Sequence, residues 1–86
     1  MSEPDETRLK RLRMRSWHRG TREMDLILGR FADAGLAGLD AARLDSFEQF
    51  LSENDHDLYR WVASAENTPQ RYEEIVGLIR AHHWLV

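Results

Sequence analysis

Cysteine is missing from these 86 residues. Its absence excludes disulfides, thiolate metal sites and a cysteine nucleophile, and it leaves the redox compartment open. Proline occurs twice and glycine five times, too sparsely for a Pro/Gly linker or a low-complexity tract. No apolar run approaches the roughly 20 residues that a bilayer-spanning helix needs. The opening MSEPDE is acidic and has no apolar core, unlike a secretory signal or an Arg-rich transit peptide. The expectation is a soluble, cytosolic protein. Walker-type and dinucleotide-type glycine loops are lacking, and the few serines have no nucleophile-elbow pattern. A chain of this length suits one domain over 1–86, with a modest core and little room for a deep active site. No enzyme is expected.

What is present is charge, unevenly divided. The net charge is −3. Residues 1–30 carry eight basic and five acidic side chains, against four and ten in residues 31–86. Arg8, Lys10, Arg11, Arg13, Arg15, Arg19 and Arg22 follow one another with no acid between them. A basic strip on an acidic body suits an anionic partner surface. One use is a small nucleic-acid-binding module that neutralises phosphates with Arg8 to Arg22. The acidic body and the lack of helix-turn-helix spacing weigh against it.

The periodicity is helical nearly throughout, which predicts an all-α compact bundle of about five short helices. Ser2, Pro4 and Asp5 resemble a helix start, and the first helix runs to about His18 with Leu9, Leu12 and Ser16 on one side and Trp17 at its edge. Met24, Ile27, Leu28 and Phe31 form the stripe of a second helix. Gly35 and Gly38 close that helix and permit turns with positive φ. Asp40 caps a third, with Leu44, Phe47, Phe50 and Leu51 inward. Asp55 or Asp57 caps a fourth containing Leu58, Trp61 and Val62. Thr68-Pro69 begins a fifth, with threonine as cap and Tyr72, Ile75, Val76 and Ile79 facing inward.

Two kinds of titratable cluster fail as sites. The histidines at 18, 56, 82 and 83 lack the i, i+4 pairing of a zinc-hydrolase helix, and adjacent His82 and His83 point about 100° apart. No metal is expected. Asp55 with Asp57, and Glu73 with Glu74, stand where helix starts and solvated faces favour acid anyway.

The segment Arg15-Ser16-Trp17-His18-Arg19-Gly20-Thr21-Arg22-Glu23 admits two accounts. Gly20 can be a tolerant turn residue, with Glu23 reaching back to free helix-start amides or pairing with Arg19. Alternatively, the missing side chain at Gly20 admits a partner, with the Arg19 fork and the Glu23 carboxylate on either side.

Arg19-Gly20-x-x-Glu23, followed by Met24-Asp25, resembles the RGxxE signature of the succinate dehydrogenase assembly factors, the SdhE family. A second block, Leu51-x-x-x-Asp55-x-Asp57-Leu58-Tyr59-x-Trp61, is similar to a segment of the same family. The resemblance covers roughly residues 9–80. Thr21 stands where some members carry an apolar residue, and the 83–86 tail HWLV lies outside the shared pattern, free either to pack or to bind.

The resemblance implies a non-enzymatic, chaperone-like factor that is monomeric when free. Its partner would be the flavoprotein subunit of succinate dehydrogenase, and in some bacteria that of fumarate reductase. It would promote covalent attachment of FAD to that partner, binding no cofactor itself. By the motif, Arg19, Gly20 and Glu23 lie at the interface. Asp25 also matches, and Arg15, Trp17 and His18 flank it as further partner-binding candidates. The Asp55–Trp61 block reads as mainly structural, with a share in the contact surface left open.

Overall fold

The computed structural model describes residues 5–85. Five α-helices follow in order: α1 (Asp5–Trp17), α2 (Arg22–Gly35), α3 (Ala41–Phe50), α4 (Asp55–Ser64) and α5 (Glu73–Leu85). Among the described residues there is no strand, in keeping with the all-α expectation. The Ser2–Pro4 helix start lies outside the described residues, as do the side chains of Trp84 and Leu85 and all of Val86.

The apolar stripes converge on a contiguous core. Leu12 from α1 meets Met24, Ile27, Leu28 and Phe31 from α2, and Tyr72, Ile75, Val76 and Ile79 close it from the other side. Phe31 lies 5.5 Å from Phe47, and Phe50, Trp61 and Tyr72 form a ring cluster at 5.5–6.2 Å. Aromatic pairs at these separations contribute about 0.5–1.5 kcal/mol each beyond their buried area. The Tyr72 hydroxyl donates to the Glu53 carboxylate at 2.6 Å, tying the start of the last helix to the α3–α4 turn. Burial, and then that hydrogen bond, push the Tyr72 phenol above its ordinary range.

Part of the basic strip is consumed in assembling this bundle. Arg8 pairs with Asp45 at 2.6 Å and with Glu48 at 2.9 Å, and Arg11 reaches Glu48 at 2.9 Å. These ion pairs clamp α1 onto α3. Burial pushes the Glu48 carboxyl up, but the hydrogen bonds from Arg11 and Arg8 outweigh it and hold the group below its usual value.

The first helix stops at Trp17, in keeping with an end near His18, and α2 is capped by Thr21, whose side chain accepts the Met24 N–H at 3.3 Å. Two later helix starts differ from expectation. Asn54, rather than Asp55 or Asp57, caps α4 by accepting the Asp57 N–H at 2.9 Å. Thr68 does not cap the fifth helix. Its hydroxyl donates to the Ala65 carbonyl, and a single 3-10 turn (Gln70–Tyr72) following Pro69 leads into α5. Asp40 does cap α3, accepting the Arg43 N–H at 2.9 Å.

Gly35 and Gly38 also depart from expectation. Neither has positive φ; α2 runs on into a 3-10 turn, Leu36–Gly38, because Leu36 is pulled into the core. Left-handed backbone occurs instead at Gly20, Ala65 and Asn67.

Candidate functional site

The α1–α2 junction is held by Trp17, Arg19 and Asp25. Trp17, at the end of α1, is half-buried, and its indole lies across Gly29 of α2. A Cβ at Gly29 would fall 2.2 Å from that ring, so only glycine lets the two helices approach this closely. The indole N–H donates to Asp33 at 3.2 Å. His18 is exposed, and its backbone N–H makes a 3.4 Å bond to the Arg15 carbonyl.

Arg19 then crosses to the other motif block. Its Nε donates to Asp55 at 2.9 Å, Nη1 to the Leu51 carbonyl at 2.7 Å and Nη2 to the Glu53 carbonyl at 3.0 Å. The planar fork thus satisfies free carbonyls after α3 and a carboxylate at the start of α4. Its side chain is 13% exposed. Asp25 completes the lock by accepting the Arg19 backbone N–H at 2.6 Å.

Gly20 follows at φ +105, backbone that L side chains rarely adopt. A Cβ there would stand 3.5 Å from the Asp55 carboxylate. Conformation, more than crowding, demands glycine.

This arrangement corrects two local expectations. Arg19 does not pair with Glu23, because its fork is taken by Asp55 and two carbonyls. Nor does Glu23 close a capping box: it sits at the second position of α2, exposed, with no hydrogen bond or ion pair among the described residues. Thr21 and Asp25 do the local bonding. Asp55, read from the sequence as a cap, is the counter-ion of Arg19.

The clamp has a consequence at the surface. It brings the first turns of α2 and α4 together around an open groove of about 360 Å3, lined by Thr21, Glu23, Met24, Asp55, His56 and Tyr59. Its walls therefore come from both sequence blocks. Met24 gives a buried apolar floor, while Tyr59 is 42% exposed although aromatic. Of the residues singled out from the sequence, Glu23 lines the groove directly. Arg19, Gly20 and Asp25 shape it from behind. Trp17 secures the helix that enters it, and Arg15 and His18 lie just before the junction.

His56 and Tyr59 are not among the partner-binding candidates of the sequence, although Tyr59 belongs to the second motif block, whose share in the contact surface the sequence leaves open. The available signal was an aromatic at an outward position of α4, one residue after buried Leu58. Leu58 and Trp61 are buried, so this block is structural on one face and contributes to the groove on the other. Among the described residues no three His, Cys, Asp or Glu side chains cluster to hold a metal ion. No helix of the described residues is long and apolar enough to cross a membrane.

Fold and groove together define a small helical module whose motif residues converge on an open surface. The chain belongs to the family described as flavinator of succinate dehydrogenase, whose model matches residues 10–83. It is 38% identical over 84 residues to succinate dehydrogenase assembly factor 2-A, mitochondrial, of Drosophila sechellia, covering 94% of this chain and 52% of that protein. The assembly factor 2 of the fungus Mycosarcoma maydis, also named mitochondrial, is 39% identical over 71 residues, 83% of this chain and 30% of that protein. The chain thus spans about half the length of the fly relatives. No solved structure matches it significantly.

Proposed function

We propose that this protein docks on the flavoprotein subunit of succinate dehydrogenase and promotes its covalent flavinylation, without catalysing a step itself. Membership of the flavinator family supports this reading. The structural observation that carries it is the groove in which the RGxxE block and the Asp55–Tyr59 block meet, fixed from behind by Arg19.

FAD would be carried by the partner, and the chemistry of its attachment would belong to that subunit and its flavin rather than to this chain. What this chain contributes is a rigid surface. Glu23, His56 and Tyr59 meet the partner, while Arg19, Gly20 and Asp25 keep those groups in register. A bundle that prefers one domain arrangement of the flavoprotein raises its population by the differential affinity, and so places the reacting groups together more often. The protein acts as a monomer wherever its client folds, in a bacterial cytoplasm or a mitochondrial matrix. A fumarate reductase flavoprotein is a further client where one is present.

The nucleic-acid alternative finds no support in the comparisons. The strip it depends on is also divided, since Arg8, Arg11 and Arg19 are bound to the protein's own oxygens.

The test is to co-express the flavoprotein subunit with wild type, Gly20→Arg or Tyr59→Ala, and to read covalent flavin by fluorescence after denaturing electrophoresis. Both variants are expected to lose co-purification and most of the covalent flavin. Tyr59 is a surface residue, so a fold defect does not confuse its result. Undiminished binding and flavin in both variants contradict the proposal.

A further inference from the structure

The basic strip is not exhausted by the clamps that hold α1 and the junction. Arg8 and Arg11 are tied to α3 and Arg19 to the α3–α4 turn, but Lys10, Arg13, Arg15 and Arg22 make no ion pair or side-chain hydrogen bond among the described residues. Two of these free cations flank an apolar centre. Met14 is 57% exposed, the most exposed large apolar side chain among the described residues. Thr7, Lys10, Arg11 and Met14 follow helical spacing on the face of α1 opposite Leu12 and Ser16, which are buried. With Arg15 they line a shallow open groove of about 350 Å3. The aliphatic stems of the basic residues extend the apolar floor that Met14 begins.

We infer that this outward face of α1 is a second docking surface, and that it receives an acidic protein segment carrying an apolar residue among its carboxylates. Charge complementarity selects the occupant. The free cations need anions, and the methionine between them, soft and adaptable in shape, needs an apolar side chain. A nucleic acid would use the cations but not Met14, and no aromatic ring lines this groove for a base to stack on, since the nearby Trp17 indole is packed across Gly29. A lipid surface would need a bulkier apolar stripe than one methionine. The acidic remainder of the chain further opposes long polyanions.

The face is continuous with the site already described. Arg15 lies in the last turn of α1, two residues before Trp17, and Arg22 opens α2 beside Glu23. A partner seated on the groove is therefore within reach of α1. In this form the inference rests on the proposed function, with the acidic segment belonging to the flavoprotein subunit. The charged rim steers encounter and Met14 holds the docked state.

Two measurements on the full chain separate the possibilities. In the first, a fluorescein-labelled synthetic peptide of glutamate and leucine is titrated and followed by anisotropy, beside phosphatidylglycerol vesicles and a single-stranded oligonucleotide. The peptide is expected to bind wild type best. Its affinity should fall about tenfold or more in Lys10→Glu/Arg15→Glu and several-fold in Met14→Ser. Tighter binding to vesicles or oligonucleotide than to peptide overturns the inference, as does unchanged peptide affinity in both variants.

In the second, association with the purified flavoprotein subunit is timed as a function of salt. The double reversal should slow association about tenfold at low salt and flatten its salt dependence. Equal rates for wild type and the double reversal remove the flavoprotein as owner of the segment. If wild type fails to bind the subunit at all, the proposed function falls, while the peptide titration still decides the α1 surface.

Discussion

Two inter-helix links of this protein each contain left-handed backbone, and they are built in opposite ways. The link between α1 and α2 places it at Gly20, where the conformation is natural, and surrounds it with Arg19, Asp25 and Asp55 bonded at 2.6–2.9 Å. The link between α4 and α5 places it at Ala65 and Asn67, both exposed. There Ala65 caps α4 at φ 62, its N–H donating to the Trp61 carbonyl at 2.8 Å and its carbonyl accepting from the Thr68 hydroxyl at 3.0 Å. One link is over-determined and the other is merely adequate. Precision concentrates where two sequence blocks must present one surface, and is relaxed where a chain only has to turn.

Substitutions can break that contrast. Arg19→Ala should have the largest effect, because it strands two carbonyls and a carboxylate in a partly closed site. A loss of about 2–4 kcal/mol is expected by urea unfolding. Arg19→Lys should recover only part of it, since an ammonium cannot span three acceptors in a fork. Gly29→Ala comes next. The added methyl must displace the Trp17 ring, costing about 2 kcal/mol and changing the tryptophan fluorescence. Gly20→Ala should cost about 1–2 kcal/mol through backbone strain alone.

The clamp between α1 and α3 gives a smaller, pH-dependent effect. The folded-state pKa of Glu48 is depressed, so its contribution is present above the unfolded value, about 4.3, and is lost as pH falls through the lower folded one. Glu48→Gln should lower stability by about 0.5–1 kcal/mol at neutral pH, the modest size expected of a part-exposed pair. Thermal melts should show the gap to wild type closing as the solution is acidified below that value. The smallest effect sharpens the contrast from the other side. Ala65→Gly should relieve left-handed strain and raise stability by about 0.5 kcal/mol, where the reverse change at Gly20 lowers it.

The core was legible in the sequence because burial imposes a 3.6-residue period. Met24, Ile27, Leu28 and Phe31, and again Tyr72, Ile75, Val76 and Ile79, are all buried as that period requires. Asp40 was legible as a cap for a similar local reason. At Asn54, Asp55 and Asp57 several capable residues stand close together, and the choice among them depends on Arg19, 36 residues upstream of Asp55. Nothing local reports that distance. The same limit applies to the site. The motif marked Arg19, Gly20, Glu23 and Asp25, but which of them face inward follows from the approach of α3 and α4. Tyr59 and His56 enter the groove only after that approach, so no periodicity announces them.

The proposed function requires the groove between the two blocks, rather than the surface at large, to meet the flavoprotein subunit. Tyr59 on the groove and Leu78 on α5 are similarly exposed, at 42% and 37%, so a charge placed at either costs the fold little. Tyr59→Glu and Leu78→Glu should each be co-expressed with the flavoprotein subunit and the covalent flavin per subunit measured. Tyr59→Glu is expected to lose co-purification and most of the covalent flavin, while Leu78→Glu is expected to match wild type. Full flavinylation with Tyr59→Glu, or equal loss in both variants, would contradict the proposal.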